Sequence, residues 1–335
     1  MTTKNDKAVG IIGIGSYVPA RAVTNKDMEA IVETSDEWIS ERTGIKCRHF
    51  VADDEHTSDI ATRAAERALK DAKLTADDID LIVVATATPD MLFPSTACLV
   101  QHNLNAGKAA AYDLSAGCSG FMYSIATASQ FIKTGLYKYV LVIGAETLSR
   151  LMDFTDRNTC VLFGDGAGAV VLGEVPEGYG ILGVHLGSDG GGGPLLSLPA
   201  GGTRIPASEE SVKNRLHYIH MEGNEVFKFA VKIMGEAAFR ALEQAGMQAT
   251  DVDWLIPHQA NIRIIQSAAK RLKMPMEKVV VNVDRHGNTS SASIPIALEE
   301  EAIHDGRIKS GQTVVMVGFG AGLTWASTVI RWHHK

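Results

Sequence analysis

The length, composition and charge of this chain exclude several classes of protein. Its 335 residues suffice for two domains or one doubled domain, and 45% hydrophobic with 21% charged residues is a globular rather than a disordered composition. A net charge of −7 argues against nucleic acid as the main partner, and four cysteines without a CxxC pair or a zinc-type cluster are typical of a reducing cytoplasm.

The start of the chain superficially resembles a signal peptide, because lysines at positions 4 and 7 precede an apolar run at 8–15. Three glycines within that run, and Pro19 just after it, favour a buried first strand over a secreted leader. No window approaches about 18 consecutive apolar residues, so the sequence predicts no transmembrane helix.

The first half of the chain alternates predicted strands and helices in the order βαβαβαββ. Residues 8–14 predict the first strand, Thr24 and Ser35 begin short helices, and the amphipathic pattern of 57–72 predicts a long helix. Further strands are expected within 75–89, at 109–114, at 139–143 and within 159–173. Because the strand within 75–89 is apolar on both faces, we expect a parallel sheet covered by helices on each side.

The pattern begins again near Gly180, which predicts two similar α/β halves, 1–179 and 180–335. A strand at 180–187 and an amphipathic helix at 227–245 open the second half. Three later segments match the first half in order: 250–258 with 75–84, 278–284 with 108–113, and 311–322 with 139–144. Segment 278–284 is therefore expected to be a strand. The competing interpretation is the loose self-similarity of any α/β chain.

Cys118 is the candidate nucleophile. It follows the strand at 109–114, where a turn of small residues leads into a helix. The positive end of that helix dipole is expected to lower the pKa of the thiol and to raise its thiolate fraction. A lone cysteine is more often a small buried hydrophobic residue, so a catalytic role needs partners from elsewhere in the chain.

His258 and Asn288 are the expected partners, because both are predicted at strand ends. In open α/β sheets functional sites lie at the carboxyl ends of strands, and related strands of two fused halves end near one another. Alone, His258 could be a hydrogen-bonded core histidine, and Asn288 after Gly287 could be a turn residue. Their joint position with Cys118 favours a single site between the halves.

Four short motifs follow one another along the chain. They are Asp113-Leu-Ser-Ala-Gly-Cys118-Ser-Gly-Phe, His258-Gln-Ala-Asn261, Gly287-Asn288-Thr-Ser-Ser-Ala-Ser-Ile-Pro295 and Gly318-Phe-Gly-Ala-Gly-Leu-Thr-Trp325. Together they resemble the signatures of β-ketoacyl-acyl carrier protein synthase III, the initiating condensing enzymes of bacterial fatty acid synthesis, and the resemblance covers nearly the whole chain. Gly117 departs from the many members that carry alanine there, which should change the freedom of the turn more than the chemistry.

The resemblance implies a thiolase-like α/β fold, with duplicated βαβαβαββ halves in α-β-α-β-α layers, and a homodimer. By position it implies a catalytic triad of Cys118, His258 and Asn288, and an oxyanion hole formed by the backbone N–H groups of Cys118 and Gly320. The implied reaction loads Cys118 from a short acyl-CoA, expected to be acetyl-CoA, and then condenses the acyl group with malonyl-acyl carrier protein, with loss of CO₂. We expect the reaction to use no cofactor or metal, and the protein to have neither a membrane nor nucleic acid as a partner.

The resemblance also implies which residues bind coenzyme A. Trp38, Arg42 and Arg157 match contacts to its adenine and phosphates, and Gly223 and Asn261 match residues of the pantetheine channel. Without the resemblance, Trp38 would be interpreted as a core anchor and each arginine as an exposed charge.

A basic strip is the expected docking surface for the acidic acyl carrier protein. It consists of Arg263, Lys270 and Arg271, in a segment (261–273) without acidic residues, and Lys228 extends it. An ordinary solvated helix face is the competing interpretation.

The sequence leaves the acyl primer and several alternatives open. Phe93 matches a residue that in family members reaches across the dimer and limits acyl length, which suggests a short primer. One alternative is a secondary-metabolite condensing enzyme with another acyl donor or acceptor, and another is a noncatalytic CoA-binding scaffold. A thiolase is disfavoured, because it would carry a second cysteine within 318–325. An incomplete glycine fingerprint at 13–15 and the isolated His217 and His220 indicate neither a dinucleotide nor a zinc site.

Overall fold

Strands and helices alternate along the first half of the chain in a computed structural model that describes residues 7–333. The lysine at position 4, used in the comparison with a signal peptide, lies outside the described residues. The elements are β1 (Val9–Tyr17), β2 (Arg21–Thr24), α1 (Asn25–Glu29), α2 (Asp36–Thr43), β3 (Cys47–Phe50), α3 (Thr57–Ala72), β4 (Leu81–Ala85), α4 (Thr96–Asn103), β5 (Ala110–Leu114), α5 (Gly120–Lys133), β6 (Val140–Glu146), α6 (Arg157–Cys160) and β7 (Gly166–Glu174). The order βαβαβαββ is present, with the β2–β3 ribbon and three short helices added to it.

The second half repeats most of this order. Its elements are β8 (Gly180–Ser188), β9 (Leu196–Ser197), α7 (Glu209–Lys213), β10 (His220–Met221), α8 (Gly223–Gln244), β11 (Trp254–Pro257), α9 (Ile262–Leu272), α10 (Val283–His286), α11 (Ser293–Glu299), β12 (Thr313–Gly320) and β13 (Thr324–Arg331). The third strand expected in this half is missing from the order, and the division into two duplicated halves stays a prediction.

The prediction of a strand at 278–284 is wrong. Val279 makes only an isolated β-bridge there, and a short helix begins at Val283. The buried side chain of Gln259 explains the difference, because its Oε1 accepts the backbone N–H groups of Asn282 (2.9 Å) and Val283 (3.1 Å). A side chain therefore satisfies backbone groups that would otherwise pair with a neighbouring strand.

Two β-sheets form the centre of the fold, one from each half. The first has the order β1-β7-β6-β4-β5, with β4 parallel to β5 and β6, and β7 antiparallel to β1 and β6. The second has the order β11-β12-β13-β8, with β11 parallel to β12, and β13 antiparallel to both of its neighbours. Strands β4, β6 and β12 are buried along their whole length, as expected for sheets covered on both faces.

Helices cover the outer faces of both sheets and fill the space between them. Side chains of α3 and α4 pack on the outer face of the first sheet, and those of α8 and α9 pack on the outer face of the second. Helices α5 and α11 lie between the sheets, where their apolar side chains join those of β4, β6, β11 and β12 in one core. This is the predicted α-β-α-β-α arrangement, and it brings the carboxyl ends of β5, β11 and β12 to one region.

Candidate active site

Cys118 lies in a tight turn between β5 and α5. The segment Gly117–Ser119 forms one turn of 3-10 helix, and the side chain of Cys118 is only 8% exposed. Gly117 has a φ of +53°, and a Cβ placed on it would lie 2.7 Å from the backbone nitrogen of Ala321. The turn thus suits glycine at this position and packs closely against the turn that follows β12.

Hydrogen bonds of two hydroxyl groups connect the turn at Cys118 with the turn that follows β12. The Oγ of Ser119 lies 2.8 Å from the Oγ1 of Thr324, and each hydroxyl is also 2.8 Å from the carbonyl oxygen of Ala116. A Cβ placed on Gly320 would lie 2.3 Å from the backbone nitrogen of Cys118. The backbone of Cys118, in the turn after β5 of the first sheet, and that of Gly320, at the end of β12 of the second, are therefore held side by side.

The pKa of the Cys118 thiol contradicts the sequence-based expectation. Burial raises it to about 12, although a hydrogen bond from Ser290 lowers it, and the charge of Glu146 raises it further. The prediction that the helix dipole would lower this pKa is wrong for the free protein, because the cost of burying a thiolate exceeds the gain from the dipole. The thiol of Cys118 is therefore neutral at physiological pH.

An apolar cavity of about 100 Å³ opens on one side of Cys118. We call it the apolar cavity. Its walls come from both halves of the chain and consist almost entirely of carbon atoms. The large side chains in them are Leu148, Leu151, Phe163, Leu196, Leu198 and Ile219.

A second cavity, of about 90 Å³, opens on the other side of Cys118 and contains the polar residues. We call it the polar cavity. It brings together six of the residues singled out in the sequence, which are Cys118, Gly223, His258, Asn261, Asn288 and Gly320. Segments nearly 200 residues apart in sequence thus meet at one sulfur atom.

His258 follows β11 and is almost fully buried, at 1% exposure. Its Nδ1 lies 2.7 Å from the hydroxyl of Ser293, and its ring packs edge-on against Phe319, with 5.7 Å between the ring centres. Burial lowers the pKa of the imidazole to about 3. The ring is therefore neutral at physiological pH.

Asn288 reaches the polar cavity from a loop instead of a strand end, contrary to the prediction. Its backbone N–H donates to the carbonyl of Leu162 (2.9 Å), and its own carbonyl accepts from the N–H of Gly164 (3.0 Å). The side-chain Oδ1 accepts the backbone N–H of Ser290 at 2.9 Å. Because Oδ1 of Asn288 accepts this hydrogen bond, the Nδ2 hydrogens remain available as donors.

The three residues matched to the nucleotide part of coenzyme A form one cluster. The guanidinium carbons of Arg42 and Arg157 lie 4.7 Å and 5.3 Å from the ring centre of Trp38, which is half-buried. Asn261 connects the cluster with the polar cavity, since its Nδ2 donates to the carbonyl of Arg42 at 2.9 Å. The indole is thus a flat surface between two exposed cations.

The basic strip is exposed but is partly paired with acidic residues. Arg271 lies 3.7 Å from Glu236, a residue of α8 that the sequence of α9 alone did not indicate. Lys228 pairs with Glu225 at 2.7 Å, and the guanidinium of Arg263 stacks 5.0 Å from the ring centre of Phe227. Lys270 is also exposed.

Phe93 lines neither cavity within this single chain. It is 83% exposed and follows two further exposed apolar residues, Met91 (49%) and Leu92 (75%). Such a protruding apolar segment is typical of a protein–protein contact.

Sequence reasoning did not identify Glu146 or Ser290. Glu146 ends the apolar strand β6 and is completely buried, and its Oε1 accepts a hydrogen bond from the hydroxyl of Ser290 at 3.0 Å. The one available signal was an acidic residue at the carboxyl end of a strand that is otherwise apolar on both faces.

Two further properties concern the described residues as a whole. Between residues 7 and 333, no three His, Cys, Asp or Glu side chains are grouped so that they could hold a metal ion. In the same range, every helix is too short or too polar to cross a membrane.

Sequence comparisons identify relatives along nearly the entire chain. Models of 3-oxoacyl-[acyl-carrier-protein] synthase III and of its C-terminal part match residues 112–190 and 242–332. The β-ketoacyl-[acyl-carrier-protein] synthase III of Caldanaerobacter subterraneus subsp. tengcongensis is 60% identical over 325 residues, which cover 97% of this chain and 98% of that protein.

Solved structures of similar proteins share the fold. The 3-oxoacyl-[acyl-carrier-protein] synthase III of Aquifex aeolicus VF5 superimposes with a TM-score of 0.89 at 48% identity, over 97% of this chain and all of that one. The priming β-ketosynthase of the R1128 polyketide pathway superimposes with a TM-score of 0.90 at 35% identity, over 98% of both chains. The predicted thiolase-like fold is confirmed, and the chain belongs to the β-ketoacyl-[acyl-carrier-protein] synthase III family of condensing acyltransferases.

Proposed function

We propose that this protein takes a short acyl group from acyl-CoA onto Cys118 and condenses it with malonyl-acyl carrier protein to give a 3-oxoacyl product. The observation that carries the proposal is the polar cavity, in which Cys118, His258 and Asn288 face one space. Cys118 separates this cavity from the apolar one, so an acyl chain on its sulfur can lie on one side while the second substrate reacts on the other.

The first half-reaction is a thioester exchange. The Cys118 sulfur forms a bond to the acyl carbon as the bond to the coenzyme A sulfur breaks, and the thiol proton of Cys118 leaves with coenzyme A. A cysteine suits this step because its product is again a thioester. The adjacent backbones of Cys118 and Gly320 support an oxyanion hole of two N–H groups for the transient negative oxygen.

The second half-reaction breaks the bond between the free carboxylate and the methylene carbon of the malonyl group, CO₂ leaves, and the electron pair of that bond forms an enolate. Neutral His258 donates to the enolate oxygen through Nε2–H when the Ser293 hydroxyl donates to Nδ1. Asn288 donates through Nδ2, since its Oδ1 is held by Ser290. Neither donor is an acid strong enough to quench the enolate. The enolate carbon attacks the acyl carbon, the sulfur of Cys118 leaves as a thiolate, and a proton from solvent restores the thiol.

Coenzyme A is assigned to the surface that leads from Trp38 and Arg42 past Asn261 into the polar cavity, which we call the path. Its adenine can stack against Trp38 beside the Arg42 and Arg157 guanidinium groups, which attract the phosphates. Asn261 and Gly223 line the polar cavity itself and are assigned to pantetheine.

The acyl carrier protein and a second copy of this chain are the proposed partners. Lys228, Arg263, Lys270 and Arg271 are exposed cations near the path and suit an acidic carrier. The protruding Phe93 segment supports a homodimer in which a second copy covers it. Four free cysteines support a reducing cytoplasm as the location, and the reaction needs no cofactor or metal.

Mass spectrometry of Cys118 after incubation with a panel of acyl-CoAs tests the function. We expect acetyl loading on Cys118, followed by turnover with malonyl-acyl carrier protein only, and no adduct at all on a Cys118→Ala variant. If that variant turns over like the wild type, the protein is a CoA-binding scaffold instead.

A priming enzyme of polyketide synthesis is the second candidate, because the R1128 priming β-ketosynthase shares the fold over almost the whole chain. Loading of longer acyl groups in preference to acetyl would favour it. The small volume of the apolar cavity favours a short primer.

A further inference from the structure

A carboxylate lies buried beside the site and has no part in the reaction described above. Glu146 is the last residue of β6, its exposure is 0%, and none of the ion pairs found among residues 7–333 includes it. Burial raises the pKa of its carboxyl. An acid buried without a cation is costly, so its polar neighbours must compensate for the lost hydration.

Polar groups from both halves of the chain converge on this carboxylate. Its Oε2 accepts from the backbone N–H of Ala87 (3.0 Å) and the hydroxyl of Thr88 (2.8 Å). Its Oε1 accepts from the hydroxyls of Ser290 (3.0 Å) and Ser291 (2.8 Å). The carboxylate thus joins the first sheet to the loop that carries Asn288.

Ser290 connects Glu146 to two of the proposed catalytic residues. Its backbone N–H donates to Oδ1 of Asn288, and its side chain lines the apolar cavity beside Cys118, where a hydrogen bond from it lowers the pKa of the thiol. Its φ of +49° is a left-handed conformation that serine rarely adopts. Contacts of the side chain, among them the one to Glu146, are needed to hold such a backbone.

The hydroxyl of Ser290 has one hydrogen and two neighbours that can accept it. A carboxylate oxygen is a stronger acceptor than a thiol sulfur, so the hydrogen is directed to Glu146. A hydrogen bond from Ser290 lowers the pKa of the Cys118 thiol, so a hydroxyl that is directed to Glu146 weakens that bond and favours the protonated form. The negative charge of Glu146 acts in the same direction.

We propose that Glu146 is a positioning residue of the condensing site, which acts through Ser290 to keep Cys118 in its thiol form and to hold the carboxamide of Asn288 in its donating orientation. The inference rests on the roles proposed for Cys118 and Asn288.

Glu146→Gln tests the inference because it keeps the shape of the side chain and removes its charge. The new amide can donate to the serine oxygens, which frees the Ser290 hydrogen for the sulfur of Cys118. We expect the pH midpoint of Cys118 alkylation to fall by about one pH unit. We also expect condensation to slow about tenfold, because Asn288 acts in the second half-reaction, whereas acyl loading should not slow, because the Cys118 thiolate forms more readily.

Ser290→Ala and Ser291→Ala form a matched pair of controls. Both serines reach the same carboxylate oxygen, but the other hydrogen bond of the Ser291 hydroxyl, at 2.9 Å, is with the carbonyl of Ala85 and not with Cys118 or Asn288. Ser291→Ala should leave the alkylation midpoint and the ratio of the two half-reactions unchanged. In a Ser290→Ala background, the shift caused by Glu146→Gln should be smaller than in the wild type.

An unchanged or raised alkylation midpoint in Glu146→Gln would overturn the inference, and so would equal effects of Glu146→Gln and Ser291→Ala on both readouts. Thermal unfolding separates these outcomes from a general loss of stability. If Glu146→Gln does not fold, the ratio of the half-reactions in Ser290→Ala against Ser291→Ala decides the question. If wild-type Cys118 accepts no acyl group at all, the proposed function fails, while the alkylation midpoint can still be measured.

Discussion

The two cavities that meet at Cys118 differ in what their walls can do. The apolar cavity offers almost no hydrogen-bonding atoms, whereas the polar cavity is lined by an imidazole, two carboxamides and Gly320. An acyl chain needs only shape and exclusion of water, while a developing enolate needs fixed donors. The difference supports the proposal that the Cys118 sulfur holds an acyl chain in the apolar cavity and presents the acyl carbonyl to the polar one.

Removing a donor from the polar cavity is expected to have the largest effect. Asn288→Ala should slow condensation by about 10²–10³-fold, the cost of losing one preorganised donor, and should change acyl loading less than about threefold. The two rates are measured as product formation with malonyl-acyl carrier protein and as acylation of Cys118 by mass spectrometry. Gln266→Ala, an exposed polar residue of α9, is the control. Equal losses of the condensation rate and of the acylation rate would contradict the assignment of Asn288 to the second half-reaction alone.

The pH dependence of Cys118 alkylation tests the neutral state of the site. Because burial raises the pKa of this thiol to about 12, its reaction with iodoacetamide should rise about tenfold per pH unit and should not level off below pH 9. Exposed Cys98 is an internal control and should react first at pH 7. A plateau near pH 7 for Cys118 would show that a thiolate forms in the free protein.

The pH dependence of decarboxylation tests whether the imidazole of His258 is neutral. Its pKa, lowered by burial to about 3, predicts that decarboxylation of the malonyl group stays constant from pH 7 down to pH 5, because no proton binds the imidazole in that range. Loss of the rate with a midpoint near pH 6.5 would contradict a neutral buried ring.

Widening the apolar cavity should change substrate preference and leave the chemistry intact. Ile219→Ala removes about three carbon atoms from one wall, and it should raise loading of longer acyl-CoAs relative to acetyl-CoA by about tenfold. Val226→Ala makes a similar deletion in the polar cavity and should leave this preference unchanged. The ratio of acylation rates on the acyl-CoA panel is the measurement.

The sequence predicted the parts of the site that depend on local patterns. The strand, glycine turn and helix around Cys118 can be identified from spacing, and so can the strand before His258. The loop before Asn288 could not, because its conformation depends on a buried side chain, Gln259, which no periodicity reveals. The thiol pKa was predicted in the wrong direction for a similar reason, since the helix dipole can be inferred from local sequence and burial cannot.

The burial of Glu146 is another property that the sequence did not predict. An acidic residue at the end of a strand is ordinarily interpreted as exposed, and only the fold reveals that loops from both halves enclose it. Trp38 and its two arginines, by contrast, come together as the family resemblance implies. Resemblance therefore transfers residue positions well, while protonation states require the three-dimensional surroundings.

The smallest expected effect concerns a wall of the apolar cavity. Two interactions hold the segment 209–221, which includes Ile219, in place. Arg215 forms an ion pair with Asp153, and the backbone N–H of Ile219 donates to the carbonyl of Leu151 at 2.9 Å. Arg215→Gln should loosen this wall, with less than about a twofold rise in loading of longer acyl-CoAs and a loss of stability in the small range of exposed ion pairs. Hydrogen bonds from Arg215 hold the pKa of the Asp153 carboxyl well below its usual value of 3.8.

A lowered carboxylate pKa means that the contribution to stability is complete above pH 3.8 and disappears only as the pH falls through the lower, folded-state value. Urea unfolding of the wild type and Arg215→Gln should therefore give the same difference at pH 7 and at pH 5. Arg240→Gln, which removes an exposed pair with Glu243 far from either cavity wall, should leave the acyl preference unchanged. If Arg215→Gln and Arg240→Gln have the same loading ratios, the ion pair at Asp153 does not support the wall, and the apolar cavity is shaped by its buried side chains alone.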